Sequence, residues 1–204
     1  HFTNPFYKDY NEVIDLSKLI LRDQLSDFGE KSDTSAFFFD VSMLFEYFVR
    51  KLLKRAGYLL NSKFENRAEI PTGSKTYKRK LEPDILINHK DKGFVFDVKY
   101  KSFDFVYGVS REDLFQLHTY VGQYGNEIEI KACGFIYPIS AKGWQEKAKD
   151  LELPCIKSKI KVLGFEIDFY VLFIVVPENQ NENYHNDFKK NNDSFINAIN
   201  EITN

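Results

Sequence analysis

Apolar positions recur every three or four residues from about Asp40 to Ala56: Val41, Leu44, Phe45, Phe48, Val49, Leu52 and Leu53. That spacing lays one apolar stripe along a helix. Asp40 suits its N-cap, Lys51, Lys54 and Arg55 suit its C-terminal dipole, and Gly57 stops it. A second helix is expected over Ser110 to Tyr124, opened by the S-x-x-D capping box of Ser110 and Asp113 and closed by Gly125. A weaker pattern of the same period runs from Lys8 to Gln24, and Ser26 to Ser35 reads as a polar loop.

Between the two strong helices the period falls to two. Tyr58 to Ile70 reads as extended until Pro71-Thr72-Gly73 breaks it, and Ser74 to Lys80 reads as a basic loop. The stretch "LEPDILINHKDKGFVFDVKYKSF", Leu81 to Phe103, reads as two apolar strands about a polar turn. Lys131 to Pro138 is a buried strand, and Lys142 to Asp150 a short helix. Lys157 to Val162 and Phe165 to Val176 form a hairpin around Gly164. "ENQNENYHNDFKKNND" reads as a polar loop before a terminal helix, Phe195 to Ile202. The core order is α-β-β-β-α-β, an α/β fold with a mixed central sheet flanked by helices.

The two strands of Leu81 to Phe103 look built for burial, yet they carry Asp84, Asp97 and Lys99. Side chains alternate along a strand, so Phe94, Phe96 and Val98 share one face and Val95, Asp97 and Lys99 the other. If the turn spans His89 to Lys92, Asp84 stands opposite Asp97 on that second face. Two carboxylates about 4 Å apart repel by about 4 kcal/mol at an effective dielectric near 20. Either one is protonated or a cation lies between them. Oxygen ligands with no histidine or cysteine nearby suit Mg2+, with Mn2+ able to substitute, and not zinc. A peptide carbonyl such as that of Val98 could add a ligand. Lys99 leaves the same face and can reach a phosphate, an assembly that suits phosphodiester hydrolysis. A bland alternative is an acid pair satisfied by nearby lysines, with Lys99 as a solvated strand residue.

Composition narrows the setting. The chain has 204 residues, 43% hydrophobic and 28% charged, which fits one globular domain with appendages. A net charge of −2 means that any nucleic-acid-binding surface is local. Cys133 and Cys155 form no CxxC pair, so neither a disulfide scaffold nor a zinc site is expected, and a cytoplasmic setting is the default. The longest apolar run, Phe169 to Val176, is too short to span a bilayer. The chain opens on His1 with Met43 as its single methionine, so a preceding partner domain is expected.

"PD" at Pro83-Asp84 and "DVK" at Asp97 to Lys99, between the two helices, resemble the PD-(D/E)XK nuclease superfamily, with D-x-K in place of the commoner E-x-K. The blocks "FFFDVSMLFEYFVRKLL", "LEPDILI", "FVFDVKYK", "DLFQLHTY" and "GFIYP" together resemble McrC, the nuclease subunit of modification-dependent McrBC restriction systems. The resemblance covers Phe37 to Pro138, with weaker echoes in Asn4 to Arg22. It implies a restriction-endonuclease-like core at 37–140, a helical extension at 1–36 and a C-terminal extension at 141–204. It also implies a Mg2+-dependent endonuclease acting on double-stranded DNA, driven by a McrB-like AAA+ GTPase that would engage an N-terminal domain. Cutting both strands suggests dimerisation.

By the same resemblance, Asp84 and Asp97 are metal ligands, Lys99 is the catalytic lysine and Glu46 holds the metal through water. Gln116 and Tyr120 form Q-x-x-x-Y on one helix face beside the active site, orienting DNA or Lys99, while His118 points away toward the surface. Blander roles are an ion pair of Glu46 with Arg50 and a packing face for Gln116 and Tyr120. Lys75, Lys78, Arg79, Lys80 and Lys101 could grip phosphates, and Tyr77 and Tyr100 could stack on bases, though charge runs are usually solvated and aromatics usually pack. The rival to an enzyme is a catalytically silent nuclease-like module that binds DNA or the motor.

Overall fold

A computed structural model describes residues 40–60, 67–72, 75–80, 82–178 and 183–204, of which 67–72 and 75–80 by their backbone alone. The expected helix at Lys8 to Gln24 and the loop after it lie outside the described residues. Contacts group the chain into two units, His1–Val41 and Ser42–Asn204. The second holds both sheets and, from Ser42 onward, four helices.

The first amphipathic stripe forms α1, Val41–Arg55, which buries Phe45, Val49 and Leu53. Val49 and Leu53 are fully buried, each contributing about 1.5–3 kcal/mol. The N–H of Gly57 donates to Lys54 and that of Tyr58 to Leu53, a Schellman closure that needs the φ of 92° at Gly57. Strands β1, Arg67–Thr72, and β2, Lys75–Lys80, pair antiparallel as a separate two-stranded sheet. The basic run expected as a loop is therefore a strand. Of the segment expected to be extended, Tyr58 to Ile70, residues 61–66 lie outside the described residues. Leu60 bridges to Ile87 of the central sheet, and the strand from Arg67 runs on through Pro71 and Thr72, where a break was expected, since it pairs in the separate sheet.

The central sheet has five strands in the order β3-β4-β5-β7-β6. These are β3 (Ile85–His89), β4 (Lys92–Val98), β5 (Glu129–Ser140), β6 (Cys155–Val162) and β7 (Phe165–Val176). The β3–β4 register is the expected one, with Ile85 opposite Phe96 and His89 opposite Lys92. Lys90 and Asp91 take φ of 52° and 61°, the left-handed pair of a type I′ hairpin turn. The irregularity between Gly93 and Phe94 falls in the β4–β5 pairing and leaves this register intact.

Strands β4, β5 and β7 run parallel, so their C-terminal ends share one edge. The C-terminal hairpin completes the sheet, with β7 against β5 along nine residue pairs and β6 at the edge. One face packs Ile85, Phe94, Phe96 and Val98 against α1 and α4, Tyr184–Thr203. The other packs Leu86, Val95, Cys133 and Phe135 against α2, Arg111–Tyr124. A short α3, Ala141–Lys147, follows β5.

Helix α4 begins eleven residues before the expected terminal helix, taking in most of the polar stretch. Asn and Asp are weak helix formers, but tertiary contacts compensate. Phe188 packs on Phe48 with ring centroids 5.7 Å apart, and Asn191 donates to the carbonyl of Val175 at 2.9 Å.

Candidate active site

The hairpin brings the two acids together where β3 begins and β4 ends. Asp84 precedes β3, and its Oδ2 accepts the backbone N–H of Val98 at 2.7 Å. Its backbone carbonyl accepts from Arg50 Nη1 at 2.5 Å. Asp97 is 1% exposed. Its Oδ2 lies 2.5 Å from Lys99 Nζ, so the buried carboxylate is ion-paired to that ammonium. Burial and the Asp84 charge, against the pull of Lys99, push Asp97 up to about 6. Burial also raises Asp84, opposed by the Val98 N–H and reinforced by Glu46. Each acid thus resists carrying its charge without a further cation.

Lys99 sits beside them on the α2 side of the sheet. Its ammonium reaches Asp97, Asp113 Oδ1 at 3.1 Å and Gln116 Oε1 at 2.9 Å. Burial works against that charge, but the two aspartates outweigh it and raise the pKa of Lys99. Gln116 Nε2 donates to Tyr120 Oη at 2.8 Å. The Q-x-x-x-Y pair therefore forms one chain ending on Lys99, with Tyr120 buried in the core. His118 lies half-buried.

Glu46 is half-buried on α1. Burial raises its pKa, Arg50 opposes the rise and Asp97 adds to it, which places Glu46 within electrostatic reach of the acids. Arg50 spends its hydrogen bond on the Asp84 carbonyl, so it ties α1 to the start of β3.

The N–H of Lys99 donates to the Ile136 carbonyl on β5 at 2.9 Å. In that trans peptide the Val98 carbonyl points the other way, toward the β3 side where Asp84 lies. The two carboxylates and this carbonyl form an all-oxygen donor set, which fits a hard divalent ion. Among the described residues no three His, Cys, Asp or Glu side chains gather as a ready metal cluster.

Two further residues of the site, Asp113 and Arg50, have local roles in the sequence that hide their part in it. Asp113, read only as a helix cap, does take part in the cap, its backbone N–H donating to Ser110 Oγ at 3.3 Å. Its carboxylate also binds Lys99, Lys101 and Ser110 Oγ, the last at 2.7 Å. The spacing D-x-x-Q-x-x-x-Y, Asp113 to Tyr120, is the signal that could have revealed it, since all three share one helix face. Arg50, read as a partner for Glu46, is the other.

Among the basic residues, Lys101 ion-pairs with Asp113 beside Lys99. Lys75, Lys78, Arg79 and Lys80 lie on β2, where Lys78 is opposite Glu69 and Lys80 opposite Arg67, and the backbone alone is described. Tyr100 is half-exposed and packs its ring on Phe45 at 5.7 Å. Tyr77 belongs to β2 as well.

The family model described as the McrBC 5-methylcytosine restriction system component matches residues 2–138. The chain belongs to this family. The match spans α1, the acid-bearing hairpin, α2 and most of β5, so it contains every residue of the candidate site. It supports a McrC-like subunit and a role in a restriction system. A search of curated proteins finds no match. No helix among the described residues is long and apolar enough to cross a membrane.

Proposed function

We propose that this McrBC-family chain carries a PD-(D/E)XK nuclease domain with a restriction-endonuclease-like core, hydrolysing phosphodiester bonds in double-stranded DNA. The observation that carries this reading is the convergence of Asp84, Asp97 and Lys99 at the C-terminal end of β4. Open α/β sheets bind ligands outside the C-terminal ends of their parallel strands.

In this reading Asp84, Asp97 and the Val98 carbonyl hold Mg2+, or Mn2+ in its place, with Glu46 reaching it through water. The bound ion supplies Lewis acidity and neutralises phosphate charge. Lys99 sets a fixed ammonium beside the scissile phosphate, where it stabilises the charge that grows in the transition state. Gln116 and Tyr120 fix the direction of that ammonium. Lys75, Lys78, Arg79, Lys80 and Lys101 would contact the phosphate backbone and make binding salt-dependent. A McrB-like AAA+ GTPase drives the system, and two copies of the site would cut the two strands.

The test is a Mg2+ or Mn2+ titration followed by DNA nicking, alone and with the motor partner and GTP. Asp97→Ala and Lys99→Ala serve as controls. Metal binding in the millimolar range and cutting lost in both variants is the expected result. No divalent-ion binding at millimolar concentration, or cutting that survives Asp97→Ala, overturns the reading. Ion binding without cutting in the presence of the motor would favour the silent module.

A further inference from the structure

We propose that Asp113 is the positioning residue for Lys99, the carboxylate that keeps the ammonium in place once a cation engages Asp97; this rests on the nuclease reading above. The ammonium has three hydrogens and three acceptors around it: Asp97 Oδ2 at 2.5 Å, Asp113 Oδ1 at 3.1 Å and Gln116 Oε1 at 2.9 Å. These acceptors are not equivalent. Asp97 is itself a ligand of the proposed ion, so the ion and Lys99 compete for its oxygens. Gln116 is neutral and cannot offset repulsion between a divalent ion and an ammonium. Asp113 is the remaining anion in contact with Lys99.

Asp113 is built to stay where it is. It is 8% exposed. Oδ2 accepts from Lys101 and from Ser110 Oγ, which leaves Oδ1 turned to Lys99. It lies in the first turn of α2, where the helix dipole favours a negative charge. Lys101, Ser110 and Lys99 together hold its pKa below the ordinary carboxylate value although burial opposes them. Asp97 and Asp113 thus divide the work: the first serves the ion and the second keeps the lysine.

A purely structural role, as helix cap and tie to Lys101, predicts different behaviour, and the full-length subunit separates the two. With 15N-labelled lysine, the Lys99 ammonium signal is assigned through its loss in Lys99→Arg. In the wild type it should persist at saturating Ca2+, a non-cutting probe of the ion site. In Asp113→Asn it should vanish when Ca2+ is added. With the motor partner, GTP and Mg2+, Asp113→Asn should lower turnover roughly ten- to a hundred-fold. Its KM for DNA and its Ca2+ affinity should stay within about two-fold of wild type on this account. Ser110→Ala, which removes the cap acceptor and one of the two donors to Asp113 Oδ2 but leaves Lys101 on Oδ2 and Oδ1 on Lys99, should lose clearly less turnover than Asp113→Asn.

A wild-type ammonium signal lost on Ca2+ addition overturns the proposal, even if Asp113→Asn fails to fold. So does wild-type turnover in Asp113→Asn, or an equal loss in Ser110→Ala. Failure of the nuclease reading shows separately, as a wild type that neither binds the ion nor cuts.

Discussion

Asp84 Oδ2 accepts the backbone N–H of Val98 at 2.7 Å, closing the hairpin where its strand ladder ends. The acid on the edge strand is thereby aimed at the end of β4, beside Asp97. An asparagine offers the same acceptor without the charge. Asp84→Asn should therefore keep the fold within about 1 kcal/mol, while Asp84→Ala leaves the Val98 N–H unpaired at a cost of about 1–3 kcal/mol. Urea unfolding of the two variants checks this, and equal stabilities would show that water replaces the acceptor.

The elevated pKa of Asp97 sets a pH dependence. A folded value of about 6 lies above the unfolded one. The stability this contributes is complete below the unfolded pKa and is lost as pH rises through about 6. Without divalent ions, the fold loses on the order of 3 kcal/mol at this residue between pH 4 and 7.5. Asp97→Asn removes that loss. Its unfolding free energy should exceed the wild-type value at pH 7.5 and approach it near pH 4, as measured by denaturant titration. A variant less stable than wild type at pH 7.5 would mean that the Lys99 ion pair outweighs burial.

A divalent ion should relieve the same strain from the other side. At a hundred times its dissociation constant it adds about 2.7 kcal/mol to the folded state. For a chain of this size that raises Tm by roughly 5–10 °C. Asp84→Asn and Asp97→Asn should each lose most of this shift, as calorimetry with and without Mg2+ would show. A shift unchanged in both variants would place the ion elsewhere.

Gly134 tests the sheet that carries the site. A Cβ there would meet the Tyr170 carbonyl oxygen at 1.9 Å, with Gly134 and Tyr170 paired across β5 and β7. Both partners are backbone at the centre of the sheet, so neither side can yield. Gly134→Ala should cost about 3 kcal/mol or more, read as a drop in the denaturation midpoint. A glycine inside an apolar strand signals such an approach.

Much of the candidate site could be read along the chain because its geometry is local. The β3–β4 register follows from a two-residue turn and strict alternation, and these put Asp84 and Asp97 side by side. Gln116 and Tyr120 meet because four residues make about one helical turn. Asp113 escaped notice because its capping role accounts for it within four residues. Arg50 escaped because an acid one turn away offers a local partner, while its actual one is 34 residues distant.

Alternation and helical period were enough to establish strands, helices and the face each side chain takes, since those depend on neighbours within a turn or two. Long-range pairing had to come from the fold. The insertion of β7 between β5 and β6, the departure of β1 and β2 into their own sheet, and the helical start of α4 rest on contacts between distant segments. So does the meeting of Lys99 with Asp113, which needs α2 laid across the strand that carries the lysine. Local propensity is weak beside the burial that such packing achieves, and burial is a property of the assembled chain.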